Sequence, residues 1–262
     1  MNGRDASVDG PVAVIIGAGG ALGSASALAL AKRGMRCVLA GPTESSLRRA
    51  AASIAAARGE ATTVCADAGE EQGAKLIFDH GRARFGPCDV LVHSAAIQGP
   101  TAPLSEITLA QWEAVMRVNL GSVFLCAREA LREMVPRGRG SIIFVSSSDA
   151  LRGFPMTGPY AASKSALTGF ARALAAEAGG AGVRVNVLSP GPMPEASIYQ
   201  EAVSGIAARL GVGADELLGQ VTGAQRAYSA AEIASGTVFL ASEDSSPMTG
   251  QSLVMDSLLT QV

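Results

Sequence analysis

Ile16-Gly17-Ala18-Gly19-Gly20-Ala21-Leu22-Gly23 is the stretch on which the fold turns. It closes the β-branched run Val12 to Ile16 and opens Ala21 to Arg33, which is alanine- and leucine-rich helix material. Strand, glycine turn and helix in immediate succession form the context in which backbone amides and a helix N-terminus bind a pyrophosphate. Glycine allows both the tight turn and the close approach of phosphate oxygens. The spacing G-x-G-x-x-G is not met, because position 22 is leucine; Gly17, Gly20 and Gly23 fall three apart instead. Ordinary tight turns are also glycine-rich, so the reading depends on the rest of the chain.

Outward from this turn, strand-like and helix-like segments alternate. Arg36 to Ala40, Ala61 to Ala66, Asp89 to His93, Ser141 to Ser146, Val183 to Leu188 and Ser252 to Met255 read as strands. Helices are expected after Thr43 to about Ala57, over Glu70 to Arg84, over Leu109 to Val118, and from Leu120 to Met134 before Pro136. Two more are expected over Tyr160 to Ala178 and Ala230 to Ala241. This order implies an α/β fold whose strands pair in parallel through right-handed crossovers. The strands rarely alternate polar with apolar residues, as expected when helices cover both faces of a sheet. No linker or internal repeat divides the chain, so a single doubly wound, Rossmann-type domain over residues 1–262 is expected. Pro190 to Gly223 interrupts the pattern with prolines at 190, 192 and 194 and amphipathic segments carrying Ile198, Val203, Ile206, Leu210, Leu217, Leu218 and Val221. An insertion of that length reads as a lid over a binding site.

Composition narrows the function. Apolar residues make up 48% of the 262, enough for a large core, and the net charge of −2 without a basic block argues against a nucleic-acid surface. Arg137-Gly138-Arg139 reads as a solvated turn. Gly10 to Ala31 lacks charge and superficially resembles a secretion signal, but Asp5 and Asp9 spoil its basic flank and four glycines interrupt its apolar run. The expectation is a cytoplasmic protein with no membrane association. Cys37, Cys65, Cys88 and Cys126 contain no CxxC pair, and Cys37 and Cys65 sit in strand-like runs where burial as small hydrophobes is expected. With only His80 and His93 available, no metal site is expected.

Tyr160-Ala-Ala-Ser-Lys164 places a phenol and an ammonium on one helix face. Bringing a phenol from a pKa near 10 to about 7 requires roughly 4 kcal/mol of differential stabilisation, which a neighbouring cation can supply. An ordinary surface pair on an amphipathic helix has the same spacing. Ser147, however, falls at the C-terminal end of the Ser141 to Ser146 strand, where ligands bind in open α/β sheets. Asn119 begins the helix before that strand, and Asp67 ends the third strand.

In these segments the chain resembles the short-chain dehydrogenase/reductase family, over nearly its whole length. The resemblance rests on Gly17 to Gly23, Asp67-Ala68, Asn119, Val145-Ser146-Ser147, Tyr160-x-x-x-Lys164, Arg184-Val-Asn186, Ser189-Pro190-Gly191 and Met248-Thr249-Gly250-Gln251. It implies an open sheet of seven parallel strands and an NAD(P)-dependent oxidoreductase that interconverts a ketone and a secondary alcohol, often as a homotetramer or homodimer. Tyr160 would then be the general acid in reduction and the base in oxidation. Lys164 would hold the nicotinamide ribose and depress the Tyr160 pKa; Ser147 would bond the substrate oxygen; Asn119 would position a water that relays protons through Lys164. Gly17, Gly19, Gly20, Leu22, Gly23, Asp67, Ala68, Ser94, Ala95, Pro190 and Gly191 would join Tyr160 and Lys164 around the dinucleotide. Enoyl reduction or epimerisation on the same scaffold, and a non-catalytic dinucleotide-binding protein, are the alternatives.

Four positions depart from the family pattern. Ile16 stands where Thr is usual, Ala21 takes the place of the second glycine, His93-Ser94-Ala95-Ala96 replaces Asn-Asn-Ala-Gly, and Glu195 replaces a Thr that often holds the nicotinamide amide. His93 reads as a structural substitute at a strand end rather than a base. Glu195 would either weaken dinucleotide binding or point to solvent. An acid ending the second strand would favour NAD; Gly41 there, with Arg48 or Arg49 within reach of a 2′-phosphate, tilts the expectation toward NADP. The small-molecule pocket is expected from Gln98, Asp149 to Pro155 and the segment from Met193 onward, mainly apolar, with Asp149 as a polar contact or simply a turn-former.

Overall fold

Every residue of β1 (Val12–Ile16) is buried, yet alternate side chains enter different cores. Val12, Val14 and Ile16 pack in one apolar cluster, and Ala13 and Ile15 in another. That division follows from a sheet covered on both faces, which is why the strands read as continuous apolar runs. The computed structural model describes residues 10–213, 227–257 and 260.

The sheet comprises β1, β2 (Arg36–Gly41), β3 (Ala61–Cys65), β4 (Val90–His93), β5 (Gly140–Val145), β6 (Val183–Pro190) and β7 (Ser252–Met255). All seven pair in parallel in the order β3-β2-β1-β4-β5-β6-β7. The expected doubly wound, Rossmann-type sheet is therefore present. Strand order reverses between β1 and β4, and ligands of such sheets bind at the carboxyl ends beside that switch.

Helices α1 (Ala21–Ala31), α2 (Glu44–Ala56) and, near the C-terminus, α9 (Ala230–Ala241) cover one face through Leu30, Ile54 and Ile233. The other face carries α3 (Glu71–Phe85), α5 (Ser122–Met134) and α7 (Gly158–Ala178), through Phe78, Cys126 and Leu167. Two short helices are α4 (Leu109–Met116) and α6 (Asp149–Arg152); α8 (Ser197–Leu210) follows β6.

Three local expectations change. The helices expected on either side of Asn119 are joined by a π-helical turn, Arg117–Gly121, that contains it. Such widened turns are frequent at functional sites because they redirect one side chain without ending the helix. Cys65 is exposed rather than buried, since β3 is an edge strand, while Cys37, Cys88 and Cys126 are buried. Arg137 is not a solvated turn residue: it donates to Asp89 Oδ1 at 2.7 Å and to the Glu133 carbonyl at 2.8 Å. The Pro190–Gly223 insertion contains α8; Leu217, Leu218 and Val221 lie outside the described residues.

Candidate active site

Helix α7 packs against β6 and carries Tyr160 and Lys164 in its first two turns, while Ser147 lies just past β5. Tyr160 and Lys164 are almost fully buried, and the Lys164 ammonium lies 5.7 Å from the centroid of the Tyr160 ring. Ser147 and Tyr160 share a hydrogen bond. The Ser147 hydroxyl accepts from the Asp149 backbone N–H at 3.1 Å and donates to Asp149 Oδ1 at 3.4 Å. Lys164 is anchored at both ends: Nζ donates to the Val145 carbonyl at 2.7 Å, and its own carbonyl accepts from Ser146 Oγ at 2.9 Å. Two hydroxyls, Ser147 and Tyr160, thus converge where one substrate oxygen can receive both.

The electrostatics differ from the sequence expectation. Burial, and then the Asp149 carboxylate, hold the Tyr160 phenol well above its ordinary value, with only the Ser147 bond opposing them. Lys164 does not depress it here. Instead, burial lowers Lys164 itself to about 8, because a desolvated ammonium is costly and no carboxylate pairs with it. Asp149 is raised to about 6, chiefly by burial. The phenol is therefore held protonated at neutral pH, the form that donates a proton.

Asn119 is fully buried. It accepts from Ile97 N at 2.8 Å and donates to the Ile97 carbonyl and to Ser163 Oγ, each at 3.0 Å. Ser163 donates in turn to the Tyr160 carbonyl at 2.7 Å. Sequence reasoning missed Ser163, although its i+3 spacing from Tyr160 places it on the same helical face. His93 is buried and hydrogen-bonded to Ser122 Oγ at 2.9 Å. Burial, followed by the nearby Lys164 charge, lowers its pKa to about 3. The imidazole at this strand end is therefore neutral at pH 7.

The residues around the glycine turn fit a dinucleotide. Gly17 adopts φ +80° and takes two bonds from β2, its own N–H and that of Ala18 donating to the Ala40 carbonyl at 2.9 and 3.1 Å. A Cβ on Gly17 would lie 2.6 Å from Ala95 N, and one on Gly23 would lie 2.1 Å from the Gly17 carbonyl. Helix α1 begins at Gly20 with no side-chain cap and no acid in its first turn, so its leading amides are available to an anion. Leu22 is buried in the α1 core, leaving only its backbone to serve a ligand. Gly19 and Gly20 are partly or fully exposed, and Ser94 and Ala95 lie across the turn, where Ser94 N donates to the Ile16 carbonyl at 2.9 Å. Asp67 accepts from Gly69 N at 2.8 Å and from Arg117 at 3.0 Å, and Ala68 beside it is buried. Pro190 and Gly191 close the opposite end, where Gly191 N donates to the Met255 carbonyl at 2.9 Å.

Glu195 does not face this cleft as a competitor. It accepts the Ala230 N–H and so caps the start of α9, where a carboxylate is favourable. Arg48 pairs with Glu44 one turn earlier, at 2.6 Å on the exposed surface of α2.

Beside Ser147 and Tyr160 opens a cavity of about 110 Å³. Phe154, Met193, Ile198, Tyr199, Val203 and Ile206 form its apolar wall, and Gln98, Ser147 and Asp149 are among its polar members. Sequence reasoning placed most of these; Thr157 and Ser148 it did not. Among the described residues there is no cluster of metal-ligating side chains, and no helix is long and apolar enough to cross a membrane.

Residues 17–258 match a family described as enoyl-(acyl carrier protein) reductase. A cis-4-hydroxycyclohexanecarboxylate dehydrogenase of Sinomonas cyclohexanicum is 32% identical over 255 residues, spanning 96% of this chain and 97% of that protein. A D-threitol dehydrogenase of Mycolicibacterium smegmatis is also 32% identical, over 96% of this chain and 94% of its own length. Among solved structures, levodione reductase superposes with a TM-score of 0.92 at 28% identity, covering 96% of this chain and 98% of that one. A gluconate 5-dehydrogenase from Burkholderia cenocepacia in complex with NADP and tartrate gives 0.87 at 32% identity, covering 97% of each chain. An NAD⁺-bound xylitol dehydrogenase gives 0.89 at 28%, covering 96% and 99%.

Proposed function

The chain belongs to the short-chain dehydrogenase/reductase family of oxidoreductases, and from that premise we propose that it interconverts a ketone and a secondary alcohol on a moderately hydrophobic small molecule. The observation that carries this reading is the convergence of Ser147 and a protonated, buried Tyr160 at one end of an apolar cavity.

In reduction, the substrate oxygen accepts from Ser147 and Tyr160, and the phenol releases its proton as negative charge develops on that oxygen. In oxidation, the phenolate takes the proton from the alcohol. Lys164, whose Nζ is held at the Val145 carbonyl, would donate to a ribose hydroxyl of the bound dinucleotide. Asn119 supports the proton path from behind, by tying the loop after β4 to α7. When bound, the nicotinamide dinucleotide supplies or accepts the hydride. Gly17, Gly19, Gly20, Gly23 and the Leu22 amide would receive its pyrophosphate; Asp67, Ala68, Ser94 and Ala95 its adenosine side; Tyr160, Lys164, Pro190 and Gly191 its nicotinamide side. The non-catalytic alternative finds no support, since the relatives are dehydrogenases and reductases.

Gly41 places no acid at the end of β2, which favours NADP over NAD. The Arg48–Glu44 pair makes that tilt slight, because the guanidinium must leave Glu44 to meet a 2′-phosphate. The segment from Pro190 serves as the substrate lid of a single domain. A homotetramer or homodimer is the assembly proposed from the family resemblance, and four free cysteines suit a reducing, cytoplasmic location. Absorbance at the reduced-nicotinamide band, with NADH and NADPH against a panel of ketones and alcohols, tests the reading. Turnover of none of them with either cofactor would overturn it.

A further inference from the structure

The cavity beside Ser147 and Tyr160 holds two polar groups that the proton-transfer chemistry does not use. Gln98 is 2% exposed, lines the cavity, and its Nε2 is buried with no hydrogen-bond partner. Buried amide donors are almost always paired, and an orphan at the wall of a binding cavity points to a ligand acceptor. Asp149 lines the same cavity, its side chain is bonded to Ser147 Oγ and to its own backbone N–H, and it forms no ion pair among the described residues. Among the described residues, no lysine or arginine lines the cavity.

These features restrict what can bind. A carboxylate or phosphate would meet Asp149 with no cation among the described lining residues to offset it. A plain hydrocarbon ketone would leave Gln98 Nε2 unpaired and bury Asp149 against carbon. Neutral hydroxyls suit both groups, since a hydroxyl can accept from an amide N–H and donate to a carboxylate. Because Asp149 is bonded to Ser147, which receives the reacting oxygen, the second hydroxyl belongs close to the reacting carbon. The surrounding wall of Phe154, Ile198, Val203 and Ile206 takes the carbon skeleton. A cavity of about 110 Å³ is on the scale of one that holds a single six-membered ring.

We propose that Gln98 and Asp149 are specificity-determining residues that select a compact, uncharged substrate carrying a hydroxyl next to the reacting carbon, that is, a ring-sized vicinal diol or the corresponding α-hydroxyketone. This rests on the oxidoreductase reading above and narrows its substrate class. Asp149 titrates near neutrality, so its acceptor function strengthens as pH rises through about 6.

The test compares cis- and trans-1,2-cyclohexanediol with cyclohexanol, and with a cyclohexanol bearing a carboxylate, as kcat/KM ratios within each protein. General losses of activity cancel in such ratios, including those from disturbing Ser147. In the wild type, at least one diol isomer exceeds cyclohexanol by at least about tenfold. In Gln98→Met and Asp149→Ala the ratio falls to within about threefold of unity. Calorimetry of the same diol with dinucleotide-saturated Tyr160→Phe protein shows uptake that the added Gln98→Met change weakens. A wild-type ratio near one, an unchanged ratio in both variants, or preference for the carboxylated compound overturns the proposal. If none of the compounds reacts while fluorescence titration still detects NADH or NADPH binding, the substrate class alone falls. If neither dinucleotide binds, the underlying reading falls with it.

Discussion

The Lys164 ammonium sits 5.7 Å from the centre of the Tyr160 ring while donating at 2.7 Å to the Val145 carbonyl. A residue one helical turn along α7 is thereby fixed to the end of β5. Holding a lysine in this desolvated position is costly, and the cost is informative about function.

Tyr160→Phe removes only the proton-transfer oxygen. We expect turnover to fall by about 10²- to 10⁴-fold, while fluorescence titration shows dinucleotide binding preserved. Wild-type turnover in this variant would remove Tyr160 from the chemistry.

Lys164→Met should lose most activity yet gain stability at pH 7. The folded-state value of about 8 against the ordinary 10.5 means that the native state disfavours the charged form. The destabilisation is complete below pH 8 and disappears as pH rises through 10.5. Removing the charge is thus expected to stabilise the fold by up to about 3 kcal/mol at pH 7, less whatever is lost with the Val145 bond. Urea denaturation of both proteins at pH 7 and pH 10 checks the sign: the gain should shrink at the higher pH. A variant less stable than wild type by more than about 2 kcal/mol at pH 7 would mean that Lys164 has a net structural role.

His93→Asn should flatten the acid side of the stability curve. With its pKa lowered to about 3, His93 stays neutral in the fold while the unfolded chain takes up a proton below about 6.5. Wild-type stability from this residue is intact above that pH and declines below it, by about 2 kcal/mol at pH 5. Asp149, raised to about 6, works in the opposite direction but is common to both proteins. The measurement is the difference in thermal midpoint between pH 7 and pH 5. An equal acid shift in the two proteins would contradict the assignment.

Glycine substitutions in the turn separate folding from ligand binding. Gly17→Ala forces a side chain onto φ +80° and into Ala95 N, and should destabilise by roughly 2 kcal/mol or more. At Gly20 an added Cβ meets only the Gly17 carbonyl, at 3.5 Å, so Gly20→Ala should change stability little while weakening dinucleotide binding. Calorimetric melting and a dinucleotide titration of both variants distinguish the effects; equal melting losses would contradict the geometry.

The sequence by itself determined the layered sheet, the glycine turn after β1, and the position of Tyr160, Lys164 and Ser147 relative to a strand end. Those features rest on short-range periodicity, on turn residues and on one-turn helical spacing, which neighbouring residues dictate. Only the tertiary structure decided that Glu195 caps α9, that Asn119 bonds to Ile97 and Ser163, and that Cys65 is exposed. It also decided the direction of the Tyr160 shift, because desolvation depends on everything packed around a group and not on the partner one turn away. Gln98 and Asp149 lie 51 residues apart in the chain, and their meeting in one cavity is set by long-range packing that no local pattern encodes.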